Sequence, residues 1–370
     1  MSHLSNVRYG YFDALRGFTM ILVVFSHVLC HSVDIDIADS PLNLFFSSFR
    51  MPLFFFVSGF FAFKPLSLWS DAAIKDIMSR KFKVQVAGTA LFLTLFSIFR
   101  FHRLPAWTDF TQFALGYWFT FTLFILFTAY ILTVMLARRL PQRWRASGYG
   151  AVLTMMAAAS AAFAIYYSIC RPDWRPLRIF LFFISPLCFY YLPYFLLGMA
   201  ARARTSLFEK ILRHKGLTLI LAIYVITAWA MWSLGHLRHI YDSGTAYGTA
   251  NKLYGYLLSL PTLLLVVKTF YSLRGYFDRE TPLSNTAKHI GRRTLDIYFL
   301  HYFFLPDLRF MKPFFLTHSS MTTEIIIAGS IALIIVALTL LTGRLIRTSP
   351  LLAHWLLGAR PRPPPDLRQT

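Results

Sequence analysis

Apolar runs of about 16–25 residues recur along the whole chain, each long enough to cross a bilayer core as a helix. They fall at roughly 12–31, 44–63, 84–99, 112–136, 148–169, 179–199, 216–235, 252–272, 294–311 and 323–343. A backbone in hydrocarbon must satisfy its own hydrogen bonds, so such runs become helices or a closed barrel. The alternating ten-residue strands of a barrel are absent. The expected fold is therefore all-α: a polytopic helical membrane protein with about ten transmembrane helices. Composition agrees, since only 14% of the 370 residues are Asp, Glu, Lys or Arg, against about 25% in a soluble domain.

The net charge of +21 would suit a nucleic-acid binder. No soluble basic domain carries it, however, and no nucleic-acid partner is expected. With the N-terminus placed inside, the inner segments hold 25 Lys and Arg and the outer loops hold 7. That excess follows the positive-inside rule and places both termini in the cytoplasm. Residues 1–347 then form one transmembrane domain, and 348–370 form a short Pro-rich cytoplasmic tail. No small-residue cleavage site follows the first run, which is expected to stay in the mature protein. Cys30, Cys170 and Cys188 have no metal spacing, and no metal is expected.

The first run contains "DALRGFTMILVVFSHVLCH", with Arg16 and His27 eleven residues apart. That is three helical turns plus about 20°, so both point to one face, roughly 16 Å apart. An intramembrane Arg costs roughly 2.5–3.5 kcal/mol on insertion scales and tends to mark a pathway or site. Arg16 snorkelling to lipid phosphate and His27 held by a hydrogen bond are the bland alternatives. Asp13, three residues before Arg16, is a candidate partner. In the second run, "FFSSFRMPLFFFVSGFFAF" places Arg50 at the outer end, near a helix-start Pro52; Ser58-Gly59 reads as close packing. The following loop clusters Lys75, Arg80, Lys81 and Lys83, by positive-inside bias or as a phosphate site. The ninth run, "HIGRRTLDIYFLHYFF", carries Asp296, Tyr298 and His301. A buried Asp296–Arg16 pair would offset both desolvation costs.

Four stretches together resemble acyltransferase family 3, a family of integral membrane O-acyltransferases: "FDALRGFTMILVVFSH", "FRMPLFFFVSGFF", "YLPYFLLGMAAR" and "GRRTLDIYFLHYFF". They run in family order from residue 12 to about 304. The family's Arg-x-x-Arg in the inner loop has Lys83 at its last position here, which keeps the charge and loses bidentate geometry. The resemblance implies transfer of an acyl group, often acetyl, from cytoplasmic acyl-CoA to a hydroxyl of a sugar, glycan or lipid-linked glycan outside the bacterial inner membrane. For such a transfer Arg80, Lys81 and Lys83 are expected on the CoA phosphates, Arg16 deeper on the donor, and His27 as general base, since neutral imidazole suits proton removal near pH 7. Arg50 or Tyr298 would stabilise the oxyanion, and His301 would be a second base or orient the acceptor. Arg50, Asp296 and Asp13 are the substrate-side candidates. A transporter or permease without acyl chemistry is the competing reading. Its weakness is the absence of an inverted repeat.

Overall fold

The computed structural model describes residues 9–105, 116–170, 186–233, 247–318 and 320–357. Among them there are helices and no strands. The first helices are α1 (Gly10–His27), α2 (Pro41–Ala62) and α3 (Asp71–Phe101, through a central π-helical stretch). Next come α4 (Trp118–Arg139), α5 (Gln142–Cys170), α6 (Pro186–Ala203), α7 (Thr205–Arg213), α8 (Lys215–Ser233) and α9 (Tyr247–Ser272). The last are α10 (Pro282–Arg292), α11 (Thr294–Leu300) and α12 (Met321–Ile346). Among the described residues five segments are long and apolar enough to cross a membrane, and α7 with α8, bent by 74°, makes a sixth candidate.

Three features depart from the sequence reading. The run 294–311 is not one helix: α11 gives way to a 3-10 turn at His301–Phe304. Leu305 is then extended (φ −70, ψ 112), because the ring of Pro306 disfavours the helical region for the residue before it. Second, α2 begins at Pro41, three residues before the expected run 44–63 and eleven before Pro52, which was read as a helix-start residue. The Ser40 side chain accepts from Asn43 N and Pro41 opens the first turn. Arg50 and Pro52 thus lie in the helix interior. Third, the expected tail starts with a helix at Pro350–Leu357, in which Ala353 and Leu357 are buried. The rest of the tail, and the starts of the runs 112–136 and 179–199, lie outside the described residues.

Two helix crossings set the bundle. A Cβ on Gly59 would overlap the carbonyl of Phe195, and one on Gly198 would overlap the carbonyl of Phe56, so α2 and α6 meet backbone to backbone. Gly17 and Gly291 play the same part between α1 and α10. Small residues allow this approach, and the gain is dispersion along the contact, since lipid tails are as apolar as leucine. Around the crossings Phe12, Phe55, Phe56, Phe60, Phe195 and Tyr194 are almost wholly buried. Gly198→Val is expected to lower the thermal midpoint in detergent, at a cost of about 1–3 kcal/mol for overpacking. Gly329→Val, where a Cβ meets nothing within 4 Å, should leave it nearly unchanged. Thermal unfolding of both purified variants measures the difference.

Candidate functional site

Arg16 and His27 both lie on α1, so the helical period holds between them. Both line a cavity of about 270 Å³, together with Arg50, Gln85, Trp118 and Tyr298. A second cavity of about 500 Å³ adjoins it and is lined by Lys64, Arg80 and Lys81. The two share Arg16, Ser58, Val84, Gln85 and Leu123. They form one path from the basic segment of α3 to the histidine end of α1. Among the described residues no Asp or Glu lines either cavity.

Each end of this path borders a π-helical stretch. One runs Val28–Val33, directly after His27; the other runs Phe82–Ala87 and carries Gln85. A π turn shifts the side-chain register, and such turns gather at functional sites. Lys81 lines the wider cavity, its ammonium 4.1 Å from the Phe127 ring centroid. Arg80 lines it too and pairs with Asp76 at 2.7 Å. Lys83 is exposed and lines neither cavity, so it does not join them. Lys64 takes part instead.

At the far end, His27 Nδ1 lies 2.7 Å from His301 Nε2, with the rings stacked 16° apart. His301 Nδ1 lies 2.9 Å from the Ile297 carbonyl. A carbonyl only accepts, so that Nδ1 carries the hydrogen. With neutral rings, His301 Nε2 is then bare, and His27 Nδ1 must donate to it. The lone pair of His27 is left on Nε2, 3.5 Å from the Tyr302 hydroxyl. The backbone of one helix thus fixes the tautomer of a ring on another.

Arg50 is buried, 8% exposed, with Nη1 donating to Asn43 Oδ1 at 3.1 Å. The Asn43 N–H and the Glu324 carboxylate both bond the Ser40 hydroxyl, the latter at 2.7 Å. These contacts hold the start of α2, and with it Arg50. Among the described residues Arg50 has no carboxylate partner, and its remaining donors are unspent. Arg16 similarly has one hydrogen bond, Nη2 to Thr294 Oγ1 at 3.0 Å. Tyr298 is more committed: its hydroxyl accepts from Phe119 N (3.2 Å) and contacts the Gly116 carbonyl at 3.4 Å. Of the two oxyanion candidates, Arg50 is the one with donors to spare.

The two carboxylates stand elsewhere. Asp296 does not pair with Arg16; Arg347 holds it through two bonds of 2.7 and 3.0 Å. Asp13 accepts from Arg292 Nε at 3.1 Å. Neither lines the cavities. Both tie α1 and α11 to neighbouring basic residues. Sequence reasoning passed over Tyr302, Gln85, Lys64, Thr294 and Glu324. An acidic residue in the tenth apolar run was a usable signal for Glu324. Gln85 and Lys64 had none, since their value depends on what faces them.

Long apolar helices define an integral membrane protein, and the buried polar path among them is its candidate site. A family model described as an acyltransferase domain matches residues 9–343, and the chain belongs to this family, acyltransferase family 3. Acyl transfer at a membrane is the general activity that membership carries. No curated protein and no solved structure matches the chain.

If Asp296 is a strut, Asp296→Asn should destabilise the fold by about 2 kcal/mol through the stranded Arg347. Arg347→Ala should act similarly, and the double variant should be no worse than either. Thermal midpoints of the three variants check this, with the donor KM unchanged among them.

Proposed function

We propose that this protein is an O-acyltransferase of the bacterial inner membrane. It moves an acyl group, acetyl in the simplest case, from cytoplasmic acyl-CoA to a hydroxyl of a sugar, glycan or lipid-linked glycan on the opposite side. The observation that carries this reading is the pair of joined cavities, cationic at one end and ending at His27. Arg16, Arg50 and Lys81 line this path with no carboxylate partner among the described residues, and a cation inside a bundle is costly until an anion meets it. CoA brings phosphates for Arg80 and Lys81 and an uncharged arm for the narrow part. The loop-charge excess supports the Arg80 end as cytoplasmic.

The chemistry follows from the ring tautomers. His27 Nε2 takes the proton of the acceptor hydroxyl as its oxygen bonds to the thioester carbon. His301 Nε2, accepting from His27 Nδ1–H, steadies the resulting imidazolium. The Arg50 guanidinium meets the negative charge that develops on the carbonyl oxygen, inside a site of low dielectric. The carbon–sulfur bond then breaks. His27 returns its proton to the departing sulfur, so CoA leaves as the thiol and the ester is complete. His27 is the general base in this scheme, and His301 is a positioning residue.

Proteoliposomes given labelled acetyl-CoA and envelope glycans should form acylated glycan and free CoA thiol in equal amounts. Mass spectrometry of envelope glycans from cells with and without the protein should show a gain of one acyl mass. Solute uptake with no release of CoA would overturn the reading in favour of transport. His27→Ala should lower kcat by about 10²–10⁴ with the protein still inserted. His301→Ala should lower it less, and His301→Gln should recover part, because its amide oxygen can still accept from His27 Nδ1–H. Arg80→Ala should raise KM for acyl-CoA about tenfold with little change in kcat. Initial rates over a range of donor concentration separate these effects.

A further inference from the structure

Gln85 is buried at the waist where the two cavities join, and it lines both. Its side-chain Oε1 is enclosed by protein atoms and has no hydrogen-bond partner among the described residues, so the flexible side chain must turn for that atom to meet a molecule in the path. A buried amide oxygen without a partner costs about 1–3 kcal/mol, and such groups are rare in native proteins.

The position of this amide is fixed by other contacts. Gln85 lies in the π-helical stretch of α3, and its own carbonyl accepts from Thr89 Oγ1 at 2.6 Å. That hydroxyl has one hydrogen, so Thr120 Oγ1, 2.6 Å away on α4, must donate to Thr89. Two helices are thereby joined behind Gln85, and neither threonine hydroxyl is shown bonded to its side chain. The order along the path is Arg80 and Lys81, then Gln85 with Arg16, then His27. An acyl-CoA has the same order: phosphates, an arm with two amides, then the thioester. Each arm amide offers an N–H and a carbonyl, which between them satisfy either orientation of a glutamine amide.

We propose that the Gln85 side chain is a donor-recognition group that hydrogen-bonds an amide of the pantetheine arm as it passes the waist. The inference rests on the acyl-CoA donor reading above and adds a specificity determinant to it. It predicts that the protein discriminates among thioesters by their amides and that Gln85 is the source of that discrimination.

The test measures KM and kcat with four donors: acetyl-CoA, S-acetyl-pantetheine, S-acetyl-N-acetylcysteamine and S-ethyl thioacetate, which has no amide. Wild type is compared with Gln85→Leu and Gln85→Ala, each normalised to its own rate with S-ethyl thioacetate so that a loss of folded protein cancels. The expected result is a rise in KM of about three- to tenfold for acetyl-CoA and S-acetyl-pantetheine, with the value for S-ethyl thioacetate unchanged. Gln85→Asn should restore part of the discrimination. Equal changes for all four donors would mean a packing role and overturn the inference. No change for any donor would mean that the amide holds only water, and would overturn it too. In both of these cases the donor reading survives, because wild type still turns over acetyl-CoA. Wild type that turns over none of the four overturns the donor reading, and this inference with it.

Discussion

Two guanidinium groups inside an apolar bundle, with no carboxylate paired to either among the described residues, set the terms for the rest of this structure. Arg50 has a single amide partner and Arg16 a single hydroxyl. Burying a lone charge is expensive, and a soluble core would neutralise it with an acid. Here the nearby acids are engaged at other contacts. Arg292 holds Asp13, Arg347 holds Asp296, and Ser40 bonds Glu324. Both residues line the cavity, and under the proposed function it is there that an anion or a developing negative charge would be stabilised.

Keeping that space open requires rigid walls. The glycine crossings of α1 with α10 and of α2 with α6 bring backbones together at fixed points. The π-helical stretches lie after His27, at the far end of the path, and around Gln85, at its waist. The break of the 294–311 segment serves the same site. It ends α11 at Leu300 and places His301 against both the Ile297 carbonyl and the His27 ring. Pro306 disfavours the helical region at Leu305, which is extended, so the helix does not run on through this segment.

Much of the site was legible because it lies within continuous helices. Arg16 and His27 share a face by helical period alone, and both line the cavity. Arg80 and Lys81 were visible as a charge cluster. The pairing of charges was not visible. Asp296 with Arg16 was a sensible match by depth, yet Arg347, 51 residues further along the chain, has the better geometry. Spacing places a residue along a helix axis; it does not say which neighbouring helix faces it. Nor does a charge cluster say which of its members face the site: Arg80 and Lys81 line the cavity and Lys83 does not.

The sequence by itself determined an all-helical membrane chain, the common face of Arg16 and His27, and membership of an acyltransferase family. Those follow from hydrophobic run length, helical period and motif order, all of which are local. Only the tertiary structure decided that His301 fixes the tautomer of His27, that Arg50 keeps spare donors while Tyr298 does not, and that Gln85 stands unpaired at the waist. Each of these depends on which atoms meet across helices far apart in sequence. That is set by where backbones can approach closely and where a helix must break.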